Sequence, residues 1–172
     1  MAYDFSSLIV HVIDANAFSR QILREMLAAL GIQTAAVKEM PDAETAIAEM
    51  EHFPPDLILC DINLPGMSGV DCIRTIRQME DEVKRYTPII VVTAYTEKVR
   101  VEEYRDAGAH ELLHKPLSVH TLYQRLVSVI EAPRSFIYSP AFFGPDRRRK
   151  VEGPDGAERR STGAPTDSDS QG

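Results

Sequence analysis

The chain has 172 residues, 44% of them hydrophobic and 26% charged, with a formal net charge of −7. These are the proportions of a soluble globular protein. Residues 1–131 hold 12 Lys+Arg against 20 Asp+Glu, and residues 132–172 hold 7 against 6, so the acidity sits in the first part and disfavours specific nucleic-acid binding there. No apolar stretch approaches the ~20 residues of a membrane span, no basic, signal-like segment leads the chain, and Cys60 and Cys72 have neither metal-ligand nor CxxC spacing. The expectation is a cytoplasmic protein with reduced thiols.

Leu8 to Ile13 is an apolar run that ends in Asp14. Phe18, Ile22, Met26, Leu27 and Leu30 then recur at helical spacing, with Gly31 as the stop. A short strand is expected at Thr34 to Val37, followed by a helix opened by Pro41 and carried by Ala43, Ala46, Ile47 and Met50. Leu57-Ile58-Leu59-Cys60 runs directly into Asp61 and then into a turn with Pro65, Gly66 and Gly69, the pattern of a strand buried on both faces. Val70, Ile73 and Ile76 predict a third helix, and Pro88 to Thr93 is a β-branched strand. A fourth helix is expected over Glu97 to Ala107, with Gly108 ending it, then a strand over Glu111 to His114 and a last helix through Val119, Leu122, Leu126 and Ile130. Five apolar strands alternating with five helices predict a parallel α/β sheet covered on both faces.

The strands' carboxyl ends then gather Asp14, Asp61, Thr93 and Lys115 at one edge, where open α/β sheets bind ligands. Two close carboxylates call for a cation, which Lys115 and an oxygen-preferring divalent metal such as Mg2+ supply. A carboxylate nucleophile, a metal, a lysine and a hydroxyl are the parts needed to place a phosphoryl group on Asp61.

The chain resembles the receiver domains of two-component response regulators, of the stand-alone single-domain type. The resemblance covers about residues 7–131. It rests on Val12-Ile13-Asp14, on Asp61 to Gly69 (DINLPGMSG), on Val92-Thr93-Ala94 and on Lys115-Pro116-Leu117. It implies a flavodoxin-like five-stranded sheet in the order 2-1-3-4-5. It also implies phosphorylation of Asp61 by a sensor histidine kinase or phosphotransfer protein, and Mg2+ held by Asp14, Asp61 and the Asn63 backbone carbonyl. Thr93, Ala94 and Lys115 would contact the phosphoryl group, and Lys115-Pro116 corresponds to a bond that is cis in the family. Phosphorylation would turn Thr93 inward and remodel the face of the fourth helix, fifth strand and fifth helix, which an unidentified downstream protein or a second copy of the chain can use. Beyond its own phosphorylation and dephosphorylation, no enzymatic activity is implied.

Two positions depart from the family pattern. Ala15 replaces the usual second acid after the first strand, which weakens the metal site and leaves Asn16 as the nearest substitute oxygen. Leu112 stands where the fifth strand normally offers an aromatic that moves with the threonine, and Tyr95 is a candidate for that part or for a shield over the site. These departures motivate an alternative: a pseudo-receiver, an interaction module independent of phosphorylation. A flavin site is disfavoured because Asp14-Ala15-Asn16-Ala17 is not a glycine-rich phosphate loop. An aspartate-nucleophile phosphatase is disfavoured because Asn63 stands where its second acid belongs. None of the five histidines has metal-site spacing.

The domain is expected to end near residue 131. Residues 134–150 carry four aromatics and the basic run Arg147 to Lys150 without a stable period, and are expected to lie on the domain or on a partner. The Gly-, Ser-, Pro- and Asp-rich remainder reads as disordered. A 132–172 tail of this composition is too short and polar for a DNA-binding or enzymatic output domain.

Overall fold

A computed structural model describes residues 3–94 and 97–147. Five short strands, β1 (Val10–Ile13), β2 (Val37–Met40), β3 (Leu57–Asp61), β4 (Ile89–Thr93) and β5 (Glu111–His114), pair in parallel in the order β2-β1-β3-β4-β5. The three inner strands are buried on both faces, which explains their unbroken apolar runs. Alternate residues feed two cores. Ile58 and Cys60 join Ile73, Ile89 and Val91 on one side, while Leu57 and Leu59 join Leu23, Leu27, Leu122 and Leu126 on the other.

Helices α1 (Ala17–Ala29) and α6 (Val119–Glu131) cover the second face; α2 (Ala43–His52), α3 (Gly69–Arg77) and α5 (Lys98–Ala107) cover the first. Among the described residues no helix is long and apolar enough to cross a membrane. Side chains set several helix starts by accepting a backbone N–H: Asn16 from Ser19, Asp42 from Thr45, Ser68 from Asp71 and Ser118 from Thr121. Gly108 closes α5 at φ 113°, a left-handed conformation that suits glycine.

Three elements differ from the sequence reading. The second strand is Val37–Met40, with Thr34–Ala36 forming a 3-10 turn before it. An edge strand is only half buried, so its polar residues hide it from a search for apolar runs: Lys38 lies over the Phe53 ring at 4.5 Å, and Glu39 pairs with Arg24 at 3.1 Å. Pro41 does not open α2; Asp42 caps it and the helix begins at Ala43. A single-turn helix, α4 (Glu82–Arg85), capped by Asp81, interrupts the path from α3 to β4 and is too short to show a period.

Residues 136–145 fold as an antiparallel hairpin, β6 (Phe136–Ser139) with β7 (Phe142–Pro145), pairing Tyr138 with Phe143. The hairpin packs against the domain. Phe136, Phe143 and Tyr86 form a ring cluster with centroids 4.6 to 5.3 Å apart, and the guanidiniums of Arg77 and Arg85 lie over Phe136 and Phe143 at 5.2 and 3.9 Å. β7 crosses the end of α5 so closely that a Cβ on Gly144 would stand 2.9 Å from the Gly108 Cα. Arg147 bonds Asp106 on α5, and Arg134 bonds Glu111 at 3.3 Å. The remainder read as disordered, from Gly153 on, lies outside the described residues, as does the end of the basic run, residues 148–150.

Candidate functional site

Parallel pairing brings the carboxyl ends of β1, β3, β4 and β5 together, as the order of strands requires. Lys115 Nζ lies 2.8 Å from Asp61 Oδ2 and 3.2 Å from Asp14 Oδ2, so one ammonium bridges both carboxylates. Each acid is further fixed by a backbone donor two residues on. Asn63 N–H reaches Asp61 Oδ1 at 3.0 Å, and Asn16 N–H reaches Asp14 Oδ1 at 2.8 Å. Asp14 is buried at 3% exposure, whereas Asp61 is only partly covered and faces the rim. Burial alone pushes the Lys115 pKa down, but bonding and attraction from Asp61 and Asp14 more than reverse this and hold it above the ordinary lysine value. Lys115 N–H also donates to the Thr93 carbonyl at 2.9 Å, and the Lys115–Pro116 peptide bond is cis.

The position of Asp61 depends on Gly69. A Cβ there would lie 2.3 Å from the Asp61 carbonyl oxygen, and Gly69 N–H instead bonds the Ile62 carbonyl at 3.0 Å. Only glycine lets the start of α3 close over the end of β3. Behind Asp61 the Cys60 thiol is fully buried, and its interaction with Cys72 together with burial raises its pKa well above the usual value. It is a packed thiol, not a reactive one.

The remaining predicted residues fall as follows. Thr93 is buried at the end of β4, and Ala94 is exposed just past it. Tyr95 lies outside the described residues. Asn16 Oδ1 caps α1 by accepting from Ser19 N–H at 3.0 Å. Leu112 packs against the first core.

Tyr104 was not foreseen. It is fully buried on the inner face of α5, and its hydroxyl has no hydrogen bond of good geometry among the described residues. Burial raises the phenol pKa, and the nearby Thr93 hydroxyl pulls it part of the way back. An aromatic therefore stands beside the threonine after all, delivered by a helix instead of a strand. Its signal in the sequence was a tyrosine three residues after Val101, at the spacing of an inward helical face.

The donors at the site are all oxygens. Counting Lys115 against two carboxylates leaves one negative charge, which suits a hard divalent cation completed by water. Among the described residues no group of three His, Cys, Asp or Glu could hold a metal.

Comparison with known proteins agrees with this geometry. The family model described as the response regulator receiver domain matches residues 10–127. The polar-differentiation response regulator DivK of Brucella ovis is 31% identical over 121 residues, covering 70% of this chain and 94% of that one. Chemotaxis protein CheY-3 of Vibrio cholerae is 28% identical over 120 residues, 70% of this chain and 89% of its own. Among solved structures, chemotaxis protein CheY4 of Vibrio cholerae superposes with a TM-score of 0.63 at 28% identity, covering 70% of this chain and 96% of that one. The receiver domain of sensor histidine kinase PA1611 from Pseudomonas aeruginosa, with a magnesium ion coordinated in its active site cleft, gives 0.61 at 29% identity, with 70% and 94% covered. The β6–β7 hairpin lies beyond the residues matched by the family model.

Proposed function

The chain belongs to the response regulator receiver family, and from that premise we propose that it is a phosphorylation-controlled signalling switch with Asp61 as phosphoacceptor. The observation that carries this reading is the Lys115 ammonium bridging Asp61 and Asp14 beside Thr93. A phosphohistidine on a histidine kinase or phosphotransfer protein is the donor. An Asp61 carboxylate oxygen attacks phosphorus, the P–N bond breaks, and the imidazole leaves with its electron pair.

Asp14, Asp61 and the Asn63 carbonyl would hold Mg2+, which when bound neutralises phosphoryl oxygens. Lys115 exchanges its bond to Asp61 for one to the incoming group, adding positive charge where negative charge accumulates. Thr93 donates a hydrogen bond to a phosphoryl oxygen, Ala94 N–H lies along the same rim, and the shift of Thr93 is felt by Tyr104 and hence by α5. Signal leaves as a change in protein contacts around α5, β5 and α6, through a shifted balance of two conformations.

Intact-protein mass after incubation with a small phosphodonor and Mg2+ tests this. One added phosphoryl group is expected on the native chain and none on Asp61→Asn. The second reading, a pseudo-receiver, is favoured by Ala15 and by the lack of a third acid at the site among the described residues. It requires that Mg2+ show no saturable binding and that no adduct form.

A further inference from the structure

At the end of the sheet away from Asp61, a cleft of about 350 Å3 lies between the β6–β7 hairpin and the ends of α3 and α5. That is within the range of small-molecule sites. Its wall carries Arg74, Arg77 and Arg85 against one acid, Asp106, which is already bonded to Arg147.

Arg77 is 2% exposed, and its acceptors are all neutral: the carbonyls of Gly108, Arg85 and Thr87 at 2.8 to 3.0 Å, and His110 Nδ1 at 3.3 Å. No carboxylate pairs with it among the described residues. Burial works against its charge, yet a guanidinium keeps it. Arg85 lies over Phe143, and its Nε is buried without a hydrogen-bond partner among the described residues. Arg74 is half exposed and held by Asp71 at 3.1 Å. Buried cations met by neutral acceptors alone carry a desolvation cost that an opposite charge offsets. In a chain of net charge −7, this cleft is a local excess of positive charge.

We infer that the cleft binds a small oxyanion-bearing ligand, a phosphate or polycarboxylate compound of mononucleotide size or less, held between Arg74 and Arg85. The outer guanidinium nitrogens of Arg85 and Arg74 contact the anion, and Arg77 supplies field from behind. Tyr138, Phe142 and Phe143 form the apolar wall. Because the hairpin forms one side, ligand binding and hairpin docking stabilise each other.

The test is an NMR titration of the full 15N-labelled chain with pyrophosphate, citrate and AMP, each at ionic strength matched with chloride. Saturable shifts are expected at Arg85 Nε–H and at the Gly108 and Gly144 amides, and Arg74→Gln and Arg85→Gln should each weaken binding at least tenfold. Saturation by pyrophosphate and AMP alone assigns phosphate as the ligand class; saturation by citrate alone assigns carboxylate. Arg74 is half exposed, so its variant keeps the fold even if Arg85→Gln loosens the hairpin, and it then carries the test alone. Shifts no greater than those of chloride, shifts centred on Thr93 and Lys115, or saturation that Arg74→Gln leaves unchanged would overturn the proposal.

Discussion

Lys115 is the only cation bridging the two carboxylates among the described residues, so its loss leaves them facing each other uncompensated. Lys115→Met is expected to lose about 1–2 kcal/mol at pH 7, once the partial exposure of the lysine is allowed for; urea unfolding beside the native chain checks it. His110 makes stability depend on pH. Burial, with Arg77 beside it, lowers its pKa from 6.5 to about 3. Below about pH 6.5 the unfolded chain takes up a proton that the folded chain refuses, so stability falls with pH down to about 3, by up to about 1.4 kcal/mol per pH unit. His110→Gln can still accept from Arg77 and cannot titrate. Between pH 6.5 and 4.5 it should lose about 2 kcal/mol less than the native chain, as read by denaturant midpoints.

Two glycines decide where neighbouring segments can lie, and their replacement should separate two functions. Gly69→Ala sets a Cβ against the Asp61 carbonyl, a backbone atom that cannot step aside. It is expected to cost ~3 kcal/mol and to slow phosphorylation of Asp61 by displacing the end of β3. Gly144→Ala instead meets the Phe142 ring and the Gly108 Cα. It should release the hairpin, seen as faster amide exchange at Tyr138 and Phe143, while Asp61 is phosphorylated as before. These segments also show where sequence reasoning reaches and where it stops. β3 and β4 were readable because both of their faces are buried, and the gathering of Asp61 and Thr93 at their ends follows from topology alone. β2 was misplaced because an edge strand is written half in polar letters whose partners, Phe53 and Arg24, lie elsewhere in the chain. The hairpin was invisible as strands because its apolar residues are matched by Arg77, Arg85 and Tyr86, fifty or more positions away. Tyr104 is hard to read from the sequence because the helix that carries it shows little periodicity.

The molecule as a whole places its two unusual features at opposite ends of one sheet, the carboxylates at the carboxyl edge and the arginine-lined cleft at the amino edge. Helix α5 runs between them, with Tyr104 facing Thr93 on its inner side and the hairpin closed over its last turn at Gly108. A rod clamped at one end cannot slide along its own axis; it can only swing about the clamp. Displacement of α5 should therefore be smallest beside Gly144 and grow toward Lys98, so that the largest excursion occurs next to the carboxylate edge. The hairpin, though far from the chemistry, would then set the fulcrum and so the direction in which the signal leaves.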